Sequence, residues 1–258
     1  MKDNFQELMK RNRDFLKDSI RKTVDFSKTE QNNGIDAPPV QKPYPDNADL
    51  IDLEVVENWD EIFKIPLAGA VKNRVSHRNY TGDPLSLEEL SFLLWATQGV
   101  RLVEGGNTFR NVPSAGCRHS METYLAVFNV NGLEKGIYRY LPLSHQLILE
   151  FKENELNQKL INATFGQQFA GLSAVTFIWT AIPRRMEWRY GPVSHKVIAL
   201  DAGHVGQNLY LACEAINSGT CAIAAYDQEY ADELLRVDGD EEFVIYFAPV
   251  GKVLQNKH

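Results

Sequence analysis

Apolar residues recur at helical spacing in two parts of the chain and predict a helix in each. The first helix spans residues 3–22, with Phe5, Leu8, Met9, Phe15, Leu16 and Ile20 on its apolar side. The second spans residues 195–219, with Val197, Leu200, Val205, Leu209, Ala212, Cys213 and Ile216 on its apolar side and Gly219 at its end. A third helix, residues 87–98, is marked by its ends: Ser86 and Glu89 form a capping box, and Gly99 follows the last turn.

Four other segments are rich in residues that favour strands. Residues 123–130 are largely apolar, and residues 136–151 predict a hairpin that turns near positions 142–145. Residues 174–182 form a short apolar run suited to a central strand, and residues 243–251 form a last strand. Because helices and strands alternate without a regular βαβ rhythm, the pattern favours an α+β fold over a doubly wound parallel sheet.

Residues 29–49 interrupt these patterns with four prolines and many polar side chains. Such a stretch is neither regular helix nor central strand, so we expect an extended arm that lies on a neighbouring surface. The sequence therefore predicts two parts: an N-terminal helix and Pro-rich arm over residues 1–64, and a core domain over residues 65–258.

Charge and cysteine content exclude several kinds of protein. The 258 residues carry 27 Lys and Arg against 34 Asp and Glu, a net charge of −7. A general nucleic-acid binder needs a basic face, so we expect no nucleic-acid partner. The three cysteines lack a C-x-x-C pair and the histidines lack a metal-ligand spacing, so we expect neither a disulfide framework nor a metal site. With no signal-like or membrane-spanning apolar run, the cytoplasm is the expected location.

Arg74, Ser76 and Arg78 occupy alternate positions of a segment that leads into the capped helix. In an extended chain these three side chains project to one side. Two guanidinium groups and a hydroxyl are donors that fit a phosphate, whereas the ordinary alternative is a solvated basic edge.

Two further segments contain small residues. The PSAG turn at residues 113–116 allows close approach of a flat partner at Gly116, or is an ordinary loop. In GTCAIAAYD, residues 219–227, small side chains leave backbone N–H groups accessible to a ligand, or pack as a strand under a helix.

Taken in order, these motifs resemble one family. Arg-x-Ser-x-Arg-x-Tyr before a capped helix, PSAG followed by Arg118-His119, DAGHVGQNLYLACEA and GTCAIAAYD together resemble the nitroreductase superfamily. Its SagB-type dehydrogenase branch is the most similar, since the arm and LIDL at residues 50–53 also resemble that branch. The resemblance implies an α+β fold with a central, mainly antiparallel sheet flanked by helices. It also implies an intertwined homodimer with FMN at its interface.

The resemblance also implies roles for individual residues. Arg74 and Ser76 would bind the FMN phosphate, Arg78 would lie near the ribityl chain and the N1–O2 edge of the ring, and Lys252, or alternatively Lys257, would complete the phosphate site. The residues expected around the isoalloxazine ring are Pro113, Ser114, Ala115 and Gly116 of the other subunit, with Ala224 and Ala225. The Ala225 N–H would donate to flavin N5, where the hydride is transferred. Better-known nitroreductases have Glu-Gly at this pair, but only a backbone donor is required.

The implied activity is ping-pong electron transfer from NAD(P)H through FMN to a small acceptor such as a nitroaromatic or a quinone. The substrate pocket is expected to include His119, Arg185, Trp188 and Tyr190. The RRMEWRYG segment is equally well explained as a loop whose arginines cover aromatic rings. Two other activities stay open: oxidation of azoline rings in a modified peptide, and flavin binding or fragmentation without reductase activity. The peptide reaction in related enzymes is expected to need a Lys-Tyr pair, and Lys196 has no adjacent tyrosine.

Overall fold

The computed structural model describes residues 2–54, 59, 62 and 64–254, so Lys257 lies outside the described residues. Its helices are α1 (Lys2–Leu16), α2 (Leu67–Asn73), α3 (Leu87–Gln98), α4 (Leu156–Ala163), α5 (Gln168–Gly171), α6 (Arg184–Tyr190), α7 (Ser194–Glu214) and α8 (Gln228–Leu235). Its strands are β1 (Leu50–Asp52), β2 (Val100–Glu104), β3 (Asn107–Arg110), β4 (Met121–Val127), β5 (Gly136–Leu141), β6 (Gln146–Phe151), β7 (Val175–Ala181), β8 (Ser218–Thr220) and β9 (Phe243–Lys252).

Seven strands form one sheet in the order β1-β6-β5-β4-β7-β9-β8, and β2 pairs with β3 as a separate hairpin. Every neighbouring pair in the large sheet is antiparallel. The predicted α+β class with an antiparallel central sheet is therefore confirmed. The predicted strands and the 136–151 hairpin are present, and β7 lies inside the sheet as its apolar run predicted.

Helices cover both faces of this sheet, and successive residues of β4 show how. Leu125 and Val127 join the apolar cluster that contains buried residues of α3 and α7. Tyr124 and Ala126 join a second cluster with buried residues of α4 and α8. Because adjacent side chains of a strand point to opposite faces, a strand buried on both faces reads as a continuous apolar run.

The capping box at α3 forms as predicted. The Ser86 hydroxyl accepts a hydrogen bond from the Glu89 N–H at 3.1 Å, and the Glu89 carboxylate accepts one from the Ser86 N–H at 2.9 Å. Gly99 does end the helix, but with a φ of −56° and not in the left-handed conformation. A glycine is needed at this position because a Cβ would lie 2.6 Å from the Trp95 ring.

The long helix ends earlier than predicted. α7 stops at Glu214, and residues 218–220 instead form β8, which pairs with β9. The prediction that Gly219 terminates the helix is therefore wrong. This glycine makes room for the imidazole of His77, whose Cγ would lie 2.5 Å from an added Cβ.

The N-terminal part is more closely joined to the core than predicted. α1 ends at Leu16, and a separate 3-10 turn covers Ser19–Lys22, so the helix predicted over residues 3–22 is shorter. β1 pairs with β6 at the edge of the central sheet. The predicted division between residues 64 and 65 therefore cuts across the sheet. Within the described residues, no helix is long and apolar enough to cross a membrane.

Candidate active site

The segment after α2, residues 74–80, lies beside the end of the central sheet. Ser76 forms a parallel bridge with Thr220 of β8, and the His77 N–H donates to the Thr220 carbonyl at 3.0 Å. The rings of His77 and Tyr80 pack on Gly219 and Gly251, where any side chain would collide with them. These contacts hold the segment extended, and we call residues 74–78 the basic strip.

Arg74 and Ser76 both reach Tyr210 of α7. The Arg74 guanidinium lies over the Tyr210 ring, 5.3 Å from its centroid. The Ser76 hydroxyl lies 3.0 Å from the Tyr210 hydroxyl, which also accepts a hydrogen bond from the Ala222 N–H at 2.9 Å. Tyr210 thus connects the basic strip to residues 219–227, which we call the small-residue segment. Sequence reasoning missed it, because its only signal was one position on a helix.

The small-residue segment exposes two of its three alanines next to the basic strip. Ala224 and Ala225 are exposed and lie outside the strands, which favours the accessible-backbone interpretation over a packed strand. Gln167 donates its side-chain amide to the Ala225 carbonyl at 3.1 Å. Arg78 lies over the Phe169 ring at 5.9 Å, so Gln167 and Phe169 also border this site although the sequence did not indicate them.

The chemistry of this site fits an anion. Within the described part of the chain, neither Arg74 nor Arg78 forms an ion pair with a carboxylate. The Thr220 hydroxyl is buried beside Ser76 and has no hydrogen-bond partner there. Burial raises the pKa of Glu214, although the charge of Arg74 opposes that rise. Two guanidinium groups without an ion-pair partner in the described chain, together with the exposed Ser76 hydroxyl, are suitable ligands for a phosphate.

Lys252 is placed differently from the arginines. Its ammonium group forms an ion pair with Glu89 of α3 and donates to the Ile216 carbonyl at 2.8 Å. These two partners direct the ammonium toward α3 and leave one of its three N–H donors for a phosphate.

PSAG lies in a second cluster with α6 and the first half of α7. Gly116 has a φ of 59°, and a Cβ there would lie 2.6 Å from the Tyr190 hydroxyl. Burial raises the pKa of Asp201 on α7, and the neighbouring Ser114 and Ala115 oppose that rise. Asp201 precedes Tyr210 by nine residues of one helix, a rise of about 13 Å. Within one chain, PSAG and the basic strip therefore lie at two different places along α7.

Three of the four predicted substrate residues are buried. Arg185 pairs with Glu122, and the two side chains are each 2% exposed. Trp188 donates its indole N–H to the Ile35 carbonyl at 2.7 Å, and Arg118 lies over its ring at 4.7 Å. These contacts hold Arg185 and Trp188 inside the fold. The segment forms helix α6 and not a loop, and the alternative applies to Arg189, which lies over the Tyr190 ring at 5.7 Å.

Of the remaining two predicted substrate residues, only Tyr190 has an accessible position. It is half-buried beside PSAG, whereas His119 is 3% exposed.

Within the described residues, no group of His, Cys, Asp and Glu could hold a metal ion. Cys213 and Cys221 are buried and unpaired, and Cys117 is unpaired and half-buried.

His119 gives a testable pH dependence. Its Nε2 lies 2.9 Å from the Thr108 carbonyl, and burial together with the charge of Arg110 lowers the pKa of His119 to about 3. An unfolded histidine has a pKa of about 6.5, so the folded state binds fewer protons below that pH. We expect the contribution of His119 to the free energy of unfolding to be fully present above pH 6.5. Below pH 6.5 it should fall by up to about 1.4 kcal/mol per pH unit.

Denaturant unfolding of wild type and His119→Gln at several pH values between 7 and 5 measures this slope. Glutamine can still donate to Thr108 but does not titrate, so the variant should lose less stability per pH unit. An equal slope in both proteins would show that His119 does not take up a proton on unfolding.

Comparison with known proteins identifies the family. The model of the Nitroreductase family matches residues 71–252. The candidate nitroreductase MJ1384 of Methanocaldococcus jannaschii is 31% identical over 195 residues, which are 76% of this chain and 95% of that protein. The trifolitoxin-processing protein TfxB of Rhizobium leguminosarum bv. trifolii is 27% identical over 165 residues, which are 60% of this chain and 44% of TfxB.

A solved structure agrees with the sequence comparisons. The crystal structure of a candidate nitroreductase from Ralstonia eutropha JMP134 matches with a TM-score of 0.66 at 25% identity, covering 86% of this chain and all of that one. The chain therefore belongs to the nitroreductase family, a family of oxidoreductases. The resemblance inferred from its motifs is confirmed, and the likeness to TfxB supports the SagB-type branch.

Proposed function

We propose that this chain is an FMN-dependent oxidoreductase in which the basic strip binds the phosphate of FMN. One observation carries the proposal: Arg74 and Ser76 meet at Tyr210, beside the exposed Ala224 and Ala225. In the described chain, Arg74 has no ion-pair partner among the carboxylates. Phosphate recognition by arginine depends on such free, oriented donors. The match to the nitroreductase family supports a flavin as the molecule that carries this phosphate.

Residues of the basic strip and of the small-residue segment would contact different parts of FMN. Arg74 and Ser76 would hold the phosphate, and Arg78 would place positive charge near the ring, which favours a reduced, anionic flavin. Ala224 and Ala225 have no bulky side chain to block a flat ring, and the Ala225 N–H would donate to its N5 atom. Bound FMN would supply hydride acceptance and donation at N5, with NAD(P)H as the electron source and a small nitroaromatic or quinone as the acceptor.

We further propose that the active unit is a homodimer. PSAG and the basic strip lie about 13 Å apart along α7, so a second subunit is the simplest source of a PSAG turn for each flavin. Exposed apolar side chains support an interface next to the strip, since Leu67 and Val71 of α2 are 70% and 57% exposed. An adjoining groove of 520 Å³ includes Phe92, Trp95 and Leu211 in its lining.

The binding experiment is a titration of the flavin-free protein with FMN. We expect wild type to bind FMN and Arg74→Ala to bind it about tenfold to more than a hundredfold more weakly, because a hydrogen bond to a charged group contributes about 1.5–3 kcal/mol. Lys72→Ala is the matched control, since it removes one exposed positive charge from the adjacent helix and should bind FMN like wild type. Equal affinities of Arg74→Ala and Lys72→Ala would remove Arg74 from the phosphate site. Failure of wild type to bind FMN would refute the proposed cofactor.

A second experiment separates the possible reactions. Loss of the oxidised-flavin absorbance under anaerobic addition of NADH or NADPH, and its return with a quinone, supports the reductase. The similarity to TfxB, a trifolitoxin-processing protein, favours peptide oxidation as the second candidate. That activity would remove two hydrogens per azoline ring of a peptide, seen by mass spectrometry, without bleaching by NAD(P)H. Recovery of cleaved FMN after aerobic incubation would instead indicate a flavin-fragmenting protein.

A further inference from the structure

The hydroxyl of Tyr210 lies between two groups of the site that come from distant parts of the chain. On one side is the Ala222 N–H at 2.9 Å, and on the other is the Ser76 hydroxyl at 3.0 Å. A backbone N–H can only donate, so the Tyr210 oxygen accepts from Ala222. Its own proton remains to be donated.

An anion beside Ser76 decides the direction of the remaining bond. A phosphate oxygen accepts and does not donate, so Ser76 must direct its proton to the phosphate. The Ser76 oxygen can then accept the proton of Tyr210. The result is one ordered series of donors from Ala222 through Tyr210 and Ser76 to the anion, and such series strengthen their members.

Tyr210 also supports Arg74. The guanidinium lies over the face of the Tyr210 ring at 5.3 Å, so the same side chain positions a charged donor and a hydroxyl donor. Ser76 and Tyr210 are 134 positions apart in sequence and meet only because the strip pairs with β8 next to α7.

We propose that Tyr210 is a positioning residue that orients Ser76 and Arg74 toward the phosphate of the cofactor. This inference rests on the proposed function, because it assumes that the anion is the FMN phosphate. It goes further in assigning phosphate selectivity to a side chain that does not itself contact the phosphate.

The test compares FMN with riboflavin, which lacks only the phosphate. Tyr210→Phe retains the ring below Arg74 and removes both hydrogen bonds of the hydroxyl. We expect wild type to prefer FMN, and Tyr210→Phe to reduce that preference about three- to tenfold, the value of one or two ordinary hydrogen bonds. Affinity for riboflavin should change much less. Tyr138→Phe is the control, because it removes from β5 a hydroxyl that donates to the Glu134 carbonyl, and it should leave the preference unchanged.

A double-mutant cycle tests whether Tyr210 affects FMN binding through Ser76. If Tyr210 acts through Ser76, then Ser76→Ala should weaken FMN binding less in the Tyr210→Phe background than in wild type. Independent, multiplying effects of the two changes would overturn the inference. An equal loss of FMN and riboflavin affinity in Tyr210→Phe would also overturn it, because the hydroxyl would then support the fold or the ring and not the phosphate.

Two further outcomes are distinguishable. If wild type prefers FMN and Tyr210→Phe keeps that preference, only the role of Tyr210 fails. If wild type binds neither flavin, the proposed function fails with it. Thermal unfolding verifies that each variant is folded, and Tyr210→His provides a second variant with a ring below Arg74 should Tyr210→Phe not fold, with the same loss of preference expected.

Discussion

Replacing Glu122 by glutamine is expected to lower the free energy of unfolding by about 3–5 kcal/mol. Glu122 lies on β4 and its side chain is 2% exposed. It forms an ion pair with Arg185, lies 3.9 Å from Arg139 and accepts the Lys42 N–H at 2.8 Å. Glutamine has nearly the same shape, so the change removes mainly the negative charge.

The expected cost comes from the positive charge that remains. Arg185 is 2% exposed, and without Glu122 its guanidinium would retain the His119 carbonyl, 3.3 Å from Nη1. Arg139 is better compensated, because it also pairs with Glu150 at 2.5 Å. A buried charge that loses its partner costs far more than an exposed pair contributes.

Denaturant unfolding followed by circular dichroism measures the change. The control is Glu134→Gln, which makes the same substitution in an exposed ion pair with Lys152 and should leave the denaturation midpoint unchanged. If Glu122→Gln unfolds at the same midpoint as this control, the charge of Arg185 is not compensated by Glu122, and the network around β4 is not a source of stability.

The features predicted well from sequence are those set by neighbouring residues. Ser86 and Glu89 lie three positions apart, so the capping box could be recognised without knowing the fold. The apolar run of β7 indicated a strand buried on both faces for the same reason. The alternation of Arg74, Ser76 and Arg78 was also local, and the structure places the strip extended beside β8.

The features missed depend on contacts between distant positions. Gly219 looked like a helix end because glycine often has that role, but the packing of His77 and the pairing with β9 determine its position. Tyr210 had no local signal beyond its position on the long helix. Arg185 and Trp188 were expected at a substrate rim because their segment places two aromatic rings among three arginines, with arginines covering the rings as the equal alternative. Their partners, Glu122 and the Ile35 carbonyl, lie 63 and 153 positions away.

The Pro-rich arm explains how so many arginines can be buried. Carbonyl groups of residues 35–43 accept hydrogen bonds from side chains of the core. The bonds run from Trp188 to Ile35 at 2.7 Å, from Arg118 to Pro38 at 3.3 Å, from Arg110 to Val40 at 2.8 Å, and from Arg139 to Lys42 and Pro43 at 2.8 and 3.0 Å. Prolines keep this stretch extended and out of regular helices and central strands, so its carbonyls remain available. The arm therefore acts as part of the core and not as an appendage.

Removal of the arm is expected to have the largest effect of any change considered. A chain that lacks residues 2–24 loses α1, on which Phe5 and Phe15 are 63% and 52% exposed, and should keep nearly its full stability. A chain that lacks residues 2–45 also loses the acceptors of four core side chains, three of them arginines. Each hydrogen bond to a charged group contributes about 1.5–3 kcal/mol, so the total loss approaches the 5–15 kcal/mol stability of a typical domain.

We therefore expect the shorter deletion to fold and the longer one to lack a cooperative unfolding transition. Thermal and denaturant unfolding of the two chains make the comparison, with Lys42→Ala in the full chain as an intermediate. That variant keeps the arm carbonyls and removes only the side-chain contacts of Lys42 with Glu242 and Tyr124. Its stability should fall between those of the two deletions. A cooperative transition at the same midpoint in both deletions would mean that water replaces the arm carbonyls at the buried arginines without cost. Such a result would contradict the principle that charged groups need fixed partners when the surrounding protein excludes solvent.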